Sequence, residues 1–492
     1  MLLIGVTRFP FMKYNFPLSD EQQAVVDAVL SGKSVAVDAG AGSGKTHTTR
    51  AIGKNFEGQV HDIQFSAKGA ENAGIAYQGF ANVSTQNFHK RGNALCGGAE
   101  VDVQKVYRLA QEIDDEHANA ISSLTTRFKQ EAHGIDSKCL TPDQIAFKYG
   151  IDSKFISPAL ACLKKSDEMT KVIDLDDMLR MPVLMGRKNI LTGLIILDEV
   201  QDYTPNSFAF LANCLTTPDS QVIMVGDPSR QCLMAFAGAD FTIFERMANH
   251  FNCEMFAMNE NRRCSQAVVA NAPFKGNMRA LANAPQGEVG CKPINEILEA
   301  VMNGQFTNDA IISEANAPLL QIGISLLSKG VSVRMRAERL EKMIIRHAYK
   351  FLDTRKYQVG QIATSMRAET VETDDGSEPD GREDVINCIE ALENYCLAKQ
   401  MVKTTFNVSM SYGKKKFKPV HPIQQALGQM LNSDKGITLL TGHTAKGLEW
   451  NTVFHLQGKV RNPDQDWQSH QANCLQHVIA TRARLNHYTL AA

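Results

Sequence analysis

A glycine-rich segment that ends in Lys-Thr is the part of this sequence best suited to chemistry. It spans residues 39–46, Ala-Gly-Ala-Gly-Ser-Gly-Lys-Thr, and follows an apolar run at 34–37 that predicts a strand. In such a loop, glycines let backbone N–H groups close around phosphate oxygens, the lysine reaches the β- and γ-phosphates, and the next hydroxyl can ligate Mg²⁺. A helix that begins near Thr46 points the positive end of its dipole at the anion. The segment is therefore predicted to be a phosphate-binding P-loop, with Ala39 where the usual pattern has glycine.

The P-loop prediction assigns individual residues to a nucleotide. Lys45 is expected to act on the phosphates during catalysis, and Thr46 is expected to help hold the metal ion. The residues predicted to surround the nucleotide at this loop are Gly40, Ala41, Gly42, Ser43, Gly44, Lys45, Thr46 and Thr48.

An acidic pair at the end of a second apolar strand adds the other half of phosphate chemistry. Asp198 and Glu199 follow the run Leu-Ile-Ile-Leu at 194–197. Asp198 is placed to hold Mg²⁺, and Glu199 can polarise an attacking water. Phosphoryl transfer also needs positive charge near the γ-phosphate, often an arginine from another module. Arg263 and Arg482 are candidates, although spacing alone favours ordinary surface charges for both.

Composition describes a globular protein without a charge bias. The chain has 492 residues, 43% of them hydrophobic, and a net charge of −1. Any contact with nucleic acid therefore depends on local basic patches. Eleven cysteines without a Cys-x-x-Cys pair fit reduced thiols in a cytoplasmic setting. The expected location is the cytoplasm of a bacterium or of a virus-infected host cell, or the nucleoid, and no membrane span is expected.

Strands that alternate with helices predict an α/β fold with parallel sheets. Acidic residues follow the strands that end near 197 and 225, which places the expected site at one sheet edge. A second α/β pattern begins near residue 250. The predicted organisation is an N-terminal tail at 1–17, a first core at 18–245 with a helical insertion near 93–172, and a second core at 246–492 with an insertion near 335–430.

Nearly the whole chain resembles superfamily 1 helicases of the UvrD/Rep type, through an ordered series of short motifs. Besides the P-loop, the most specific is Thr-Gly-His-Thr-Ala-Lys-Gly-Leu-Glu-Trp at 441–450, which is similar to motif V. The other matching segments are 65–70 (motif Ia), 85–89 (Ib), 173–179 (an acidic stretch ahead of motif II), 198–202 (II), 226–239 (III), 261–264 (IV) and 477–483 (VI). The resemblance implies two RecA-like P-loop NTPase domains with ATP between them.

The resemblance also implies roles for individual residues. The implied catalytic set is Lys45, Asp198, Glu199, Gln231, Arg263 and Arg482. The implied nucleotide contacts beyond the P-loop are Gln22 at adenine, Gln201 at the γ-phosphate, Arg262 at the adenine face and Glu449 near the ribose. The implied DNA contacts are Phe65, Lys68, Phe88, His89, Phe236, Thr441 and His443. Core packing remains the alternative for each phenylalanine.

Motif III departs from the family pattern. It has one extra residue before Gln231, Met234 where tyrosine is usual, and Ala237 where arginine is common. Phe236 is therefore the remaining candidate for base stacking. Arg262 stands where motif IV often has tyrosine, and a guanidinium plane can also stack.

The implied activity is that of an ATP- and Mg²⁺-dependent helicase or translocase. It is expected to move 3′ to 5′ on single-stranded or forked DNA, as a monomer, with replication or repair proteins as candidate partners. Three alternatives stay open. They are a translocase that strips proteins from DNA and unwinds poorly, a nucleotide-gated DNA-binding module without hydrolysis, and an enzyme that acts on RNA.

Overall fold

Two parallel α/β cores make up most of the structure. The computed structural model describes residues 17–235, 238–337, 340, 344, 359–371, 382–400, 405–407, 418–420, 422–431, 433–458 and 466–491. The predicted tail up to residue 16 and the stacking candidate Phe236 lie outside the described residues.

Strands and helices alternate through most of the described chain. The strands are β1 (Val35–Ala39), β2 (Val60–Gln64), β3 (Val83–Asn87), β4 (Glu100–Val101), β5 (Val172–Ile173), β6 (Leu194–Leu197), β7 (Gln221–Gly226), β8 (Glu254–Met258), β9 (Glu260–Asn261), β10 (Arg279–Ala280), β11 (Glu288–Pro293), β12 (Ala310–Ser313), β13 (Val333–Arg336), β14 (Thr405–Asn407), β15 (Lys418–Val420), β16 (Ile437–Thr441), β17 (Trp450–Leu456) and β18 (Ala483–Ala491).

The helices are α1 (Asp20–Leu30), α2 (Lys45–Asn55), α3 (Ala67–Ala76), α4 (Phe88–Leu95), α5 (Lys105–Ile113), α6 (Ala118–Gln130), α7 (Pro142–Lys148), α8 (Ile156–Glu168), α9 (Asp177–Leu184), α10 (Pro205–Phe210), α11 (Ile243–His250), α12 (Gln266–Asn271), α13 (Ile294–Met302), α14 (Asn316–Ser328), α15 (Ile362–Val371), α16 (Arg382–Ala398), α17 (Pro422–Leu431), α18 (Gly442–Ala445) and α19 (Asp466–Ala480). Within the part of the chain that the structure describes, no helix combines the length and apolar character needed to cross a membrane.

The first core is built on a six-stranded sheet. Its order is β3–β2–β6–β7–β1–β8, and every neighbouring pair is parallel. The central strands β1, β6 and β7 are short and mostly buried because helices cover both faces of the sheet. Since β7 lies between β1 and β6, the loops that follow these three strands meet at one edge. This arrangement brings the P-loop, the acidic pair and the motif III loop together.

The second core repeats this architecture. Its sheet has the order β11–β18–β17–β12–β16–β13, again with parallel neighbours throughout. The predicted fold class, α/β with two parallel-sheet domains of the RecA kind, is confirmed. One hydrophobic cluster joins the cores: Ala41 and Leu233 of the first core pack with Val478 and Ile479 of the second.

The first helical insertion is anchored by buried ion pairs. Helices α5 to α8 form their own hydrophobic cluster between the paired strands β4 and β5. The Lys129 Nζ lies 2.6 Å from carboxylate oxygens of both Asp174 and Asp177, and the Lys105 Nζ lies 2.7 Å from Asp177. Both lysines are at most 1% exposed. The acidic stretch ahead of motif II therefore connects the insertion to the first core.

The described parts of the second predicted insertion are also mainly helical. Helices α15, α16 and α17 share a hydrophobic cluster with α14 of the second core. A short antiparallel pair, β14 with β15, accompanies them.

The predicted boundary between the cores, at residue 245, is wrong. Strand β8 pairs in parallel with β1 from Val35↔Glu254 to Ala39↔Met258, so it belongs to the first sheet. The chain leaves this sheet only after Met258. The sequence pattern did not reveal this because β8 pairs with a strand more than 200 residues earlier, and its side chains are largely exposed at the sheet edge.

Candidate functional site

The P-loop has the backbone geometry that a phosphate cradle requires. Gly42 and Gly44 have φ values of +68° and +86°, in the left-handed region, and α2 begins directly after Gly44. A Cβ on Gly44 would collide with the amide of Gln22. The loop therefore turns tightly into the helix N-terminus, where free N–H groups and the helix dipole favour an anion.

The residues around the loop hold its shape. The Gln22 Nε2 donates to the Ser43 carbonyl at 3.0 Å, and the Gln22 Oε1 accepts from the Ser19 N–H at 3.0 Å. The Lys45 ammonium donates to the Ala39 carbonyl at 3.0 Å, which folds its side chain over the loop. Gln22 and Lys45 are thus both anchored to the backbone of the loop, while their roles at adenine and phosphate stay predictions.

The position of Thr48 differs from the one predicted for a nucleotide contact. It is 1% exposed, and its hydroxyl donates to the Gly44 carbonyl at 3.2 Å. The side chain therefore packs beneath the loop, one helical turn beyond it, while Thr46 is exposed at the first turn of α2.

The acidic pair lies at the end of β6. The Asp198 Oδ1 accepts from the Glu199 N–H at 2.9 Å, and Glu199 has a left-handed backbone with φ +53°. Burial, together with neighbouring Glu199, raises the pKa of Asp198 to about 6. Burial also opposes ionisation of Glu199, but Lys446 and Lys45 outweigh it and lower the pKa of Glu199 to about 2. The pKa values of these two adjacent carboxyl groups are therefore shifted in opposite directions.

Lys446 brings a positive charge from the second core to this pair. Its Nζ lies 2.5 Å from Asp202 Oδ2, 3.4 Å from Glu199 Oε2 and 3.4 Å from the Gln231 carbonyl. Burial lowers the pKa of Lys446, but Asp202 and Glu199 raise it above its ordinary value. Sequence reasoning did not single out this lysine. The available signal was its place in motif V, between His443 and Glu449.

The two predicted arginines lie side by side near the P-loop. Arg482 is 2% exposed, and its guanidinium donates to the Val478 and Leu448 carbonyls at 3.0 and 3.4 Å. Burial and the charge of Arg263 lower the pKa of Arg482 to about 9. The Arg263 Nε lies 2.7 Å from the Glu449 carboxylate. A carboxylate of the second core thus neutralises part of this paired positive charge.

The crossing between the cores is bonded to the P-loop itself. The Asn261 amide donates to the Ala41 carbonyl at 2.7 Å, and the Arg262 N–H donates to the Gly42 carbonyl at 2.9 Å. A Cβ on Gly42 would lie 2.8 Å from the Cβ of Arg263. The Arg262 side chain instead turns to Glu260, at 2.9 Å.

The two predicted glutamines converge on Asp227 of the motif III loop. The Gln201 Oε1 accepts from the Asp227 N–H at 2.9 Å, and its amide nitrogen donates to Glu199. The Gln231 Nε2 donates to the Asp227 Oδ2 at 2.7 Å. Both glutamines are at most 3% exposed. They therefore link motif II to motif III through the side chain and backbone of Asp227.

The predicted DNA contacts fall into different environments. Phe88 is 1% exposed and packs edge-on against Tyr203 at 4.9 Å, so its prediction as a DNA contact is wrong in this conformation and the core alternative holds. Phe65 stacks on Tyr203 with the ring centroids 6.1 Å apart and stays partly exposed. Lys68 is exposed on α3, and His89 is partly buried on α4, where burial lowers its pKa.

Thr441 and His443 lie at the carboxyl end of β16 in the second core. The Thr441 hydroxyl caps α18 and accepts from the Thr444 N–H. Burial and the charge of Lys446 lower the pKa of His443. Both residues therefore lie within five residues of the lysine that reaches the acidic pair, on its N-terminal side.

Mg²⁺ and ATP fit the groups that converge here. A hydroxyl on Thr46 and a carboxylate on Asp198 are oxygen donors of the kind Mg²⁺ prefers, with nucleotide phosphates and water completing its ligands. The described residues contain no cluster of three or more His, Cys, Asp or Glu side chains able to hold a metal alone.

Among the comparisons with known proteins, one family model matches the P-loop half of the chain. The family model of the AAA domain matches residues 22–237, which is less than half of the chain. Among solved structures, the chain is similar to the Arterivirus nonstructural protein 10 helicase, with 10% identity and a TM-score of 0.36. That alignment covers 96% of this chain and 61% of that one. Comparison with the curated proteins found no similar sequence. The AAA match and the loop geometry together support a nucleotide-binding P-loop enzyme.

Proposed function

We propose that this protein is an ATP-driven DNA helicase or translocase of superfamily 1, of the UvrD/Rep type, which moves 3′ to 5′ on single-stranded DNA. The observation that carries the proposal is the composite site. Lys446 and Arg482 of the second core converge with the P-loop and acidic pair of the first. A nucleotide bound there contacts both cores, so its binding and hydrolysis favour different separations of the cores.

Each group has a defined part in the proposal. The P-loop and Lys45 bind the phosphates, and Thr46 with Asp198 holds Mg²⁺, which supplies Lewis-acid stabilisation when bound. Glu199 accepts the proton of the attacking water, and Arg263 with Arg482 stabilises charge on the transferred phosphate. Because both cores belong to one chain, a monomer contains the complete site.

The proposed DNA path runs over the carboxyl edges of the two sheets. Phe65 and Lys68 line it on the first core, and Thr441 and His443 line it on the second. A partly exposed aromatic ring offers a stacking surface, and an exposed lysine offers a phosphate contact. Movement of the cores shifts these two halves of the path relative to each other.

The first test is the ATPase rate with and without single-stranded DNA, and with RNA of the same sequence. We expect strong stimulation by DNA, abolished by Lys45→Ala and by Arg482→Lys. Lys54→Ala, on the exposed end of the same helix α2, is the matched control and should keep the stimulation. A DNA-independent rate would contradict the proposal.

Duplexes with a 3′ or a 5′ single-stranded tail then test unwinding. Strand release from the 3′-tailed duplex alone supports the proposed polarity. Stimulated hydrolysis with displacement of a bound protein, but little strand release, would identify the stripping translocase instead. Nucleotide-dependent DNA affinity without phosphate release would identify the gated binding module.

A further inference from the structure

Arg230 is the residue directly before Gln231, where motif III carries its extra residue. It is only 5% exposed, although it is charged. Its Nε donates to the Asp227 Oδ1 at 2.7 Å, and its Nη2 donates to the Asp38 Oδ1 at 3.0 Å. A buried arginine with two carboxylate partners is held in one geometry. None of the roles assigned above uses it.

One end of this arrangement reaches the P-loop. Asp38 lies in β1, directly before the glycine-rich loop. The Arg230 guanidinium also lies against Gly40, since a Cβ there would be 3.5 Å from Nη2 and 3.6 Å from Cζ. The start of the P-loop therefore rests on the face of this guanidinium.

The other end reaches the segment that follows motif IV. The Arg230 Nη1 donates to the Lys275 carbonyl at 3.2 Å, and a Cβ on Gly276 would lie 3.6 Å from the same nitrogen. Two residues earlier, the Pro273 carbonyl lies 2.5 Å from the Nδ1 of His477. His477 belongs to α19, which ends two residues before Arg482.

Helix α19 also touches the motif III loop directly. The Cys474 thiol donates to the Ser229 carbonyl at 3.8 Å, and the helix contributes Val478 to the hydrophobic cluster shared by the cores. Arg230 is therefore connected to α19 by two routes, through residues 273–276 and through Ser229. Both routes lead to the helix that positions Arg482.

We propose that Arg230 is a positioning residue that transmits occupation of the P-loop to the second core. This inference rests on the proposed function. Bound phosphates add negative charge beside Asp38 and compete with it for the guanidinium. The resulting shift of Arg230 moves the motif III loop and residues 273–276 together, and α19 follows.

The test compares the affinity of the full-length protein for fluorescent oligo-dT without nucleotide and with a saturating, non-hydrolysable ATP analogue and Mg²⁺. We expect the two affinities of the natural protein to differ by about tenfold, a typical coupling between linked sites. For Arg230→Ala, the two DNA affinities should differ by no more than about twofold. Arg230→Lys should restore part of the difference. A fluorescent nucleotide is used to check that each variant is saturated with nucleotide. At saturation, the ratio of the two DNA affinities does not depend on how tightly the variant binds nucleotide.

Arg246→Ala is the matched control. This arginine of the same core also bridges two carboxylates, Asp136 at 2.8 Å and Asp240 at 3.0 Å, and should leave the ratio unchanged. If Arg230→Ala does not fold, Asp38→Asn decides, because it removes the negative charge of the P-loop partner and leaves the buried ion pair with Asp227 intact. An unchanged ratio in a folded Arg230→Ala or Asp38→Asn variant overturns the inference alone. A natural protein with neither DNA-stimulated hydrolysis nor a nucleotide-dependent affinity overturns the proposed function as well.

Discussion

The ammonium group of Lys446 lies 3.4 Å from the carboxylate of Glu199, although the two residues belong to different cores. The proposed catalytic base therefore has its protonation set by the second core. Separation of the cores removes this charge, and Glu199 then becomes harder to ionise. The arrangement makes the chemistry of the first core depend on contact with the second.

Lys446→Ala should slow ATP hydrolysis by about 100-fold or more, as loss of a preorganised charge in a catalytic site does. It should also move the acid limb of the pH–rate profile to higher pH. The limb moves in this direction because Lys446 holds the pKa of Glu199 low. Removal of the lysine raises that pKa, and Glu199 then ionises only at higher pH. Rates measured across the acid range check this. Lys435→Ala, exposed on the same core, should leave the profile unmoved.

Asp198→Asn should stabilise the nucleotide-free protein while abolishing hydrolysis. The pKa of Asp198 is raised to about 6 in the folded state, so stability is lost as the pH rises from the ordinary aspartate value through 6. Removing the carboxylate should recover about 1–2 kcal/mol at neutral pH, after allowance for water at this partly exposed edge. Urea unfolding in the presence of a metal chelator measures the gain in the free energy of unfolding. This gain should vanish near pH 4. An equal gain at both pH values would refute the electrostatic cause.

The two phenylalanines that pack against Tyr203 should respond differently to truncation. Phe88→Ala should lower the free energy of unfolding by about 3–5 kcal/mol because it empties a core position. Phe65→Ala should change stability less and weaken binding of single-stranded DNA by about 1–3 kcal/mol if a base stacks there. Denaturant unfolding and DNA anisotropy of both variants separate the roles. If both folded variants keep their affinity for DNA, Phe65 does not line the proposed path.

Lys129→Met should destabilise the protein by about 3–5 kcal/mol, since it leaves two buried aspartates without this partner. The comparison is Lys154→Met. That lysine lies 3.6 Å from Asp152 with both side chains more than half exposed, so its loss should cost at most about 1 kcal/mol. Thermal unfolding of the two variants measures the contrast. Similar losses of stability in the two variants would mean that the buried ion pairs of Lys129 do not anchor the first helical insertion.

Local patterns predicted the parts of the site that one strand and its following loop contain. The P-loop and the acidic pair are of this kind, because strand, turn and charge are contiguous in sequence. Lys446 and Arg230 were missed because Asp202 and Asp38, the partners that connect them to the site, lie far away along the chain, and a lone lysine or arginine predicts only a solvated surface. Phe88 could not be distinguished from Phe65 by type. Only the packing of α10 and Tyr203 buries one ring and leaves the other partly exposed.

The hydrogen bonds from Asn261 and Arg262 to the P-loop place the crossing between the cores directly beside the phosphates. These two bonds hold consecutive residues of the glycine-rich turn, so a displacement of Ala41 or Gly42 acts directly on the segment that leads into the second core. In the proposed function, the signal from bound phosphates to the connection between the cores therefore needs no intervening helix or strand.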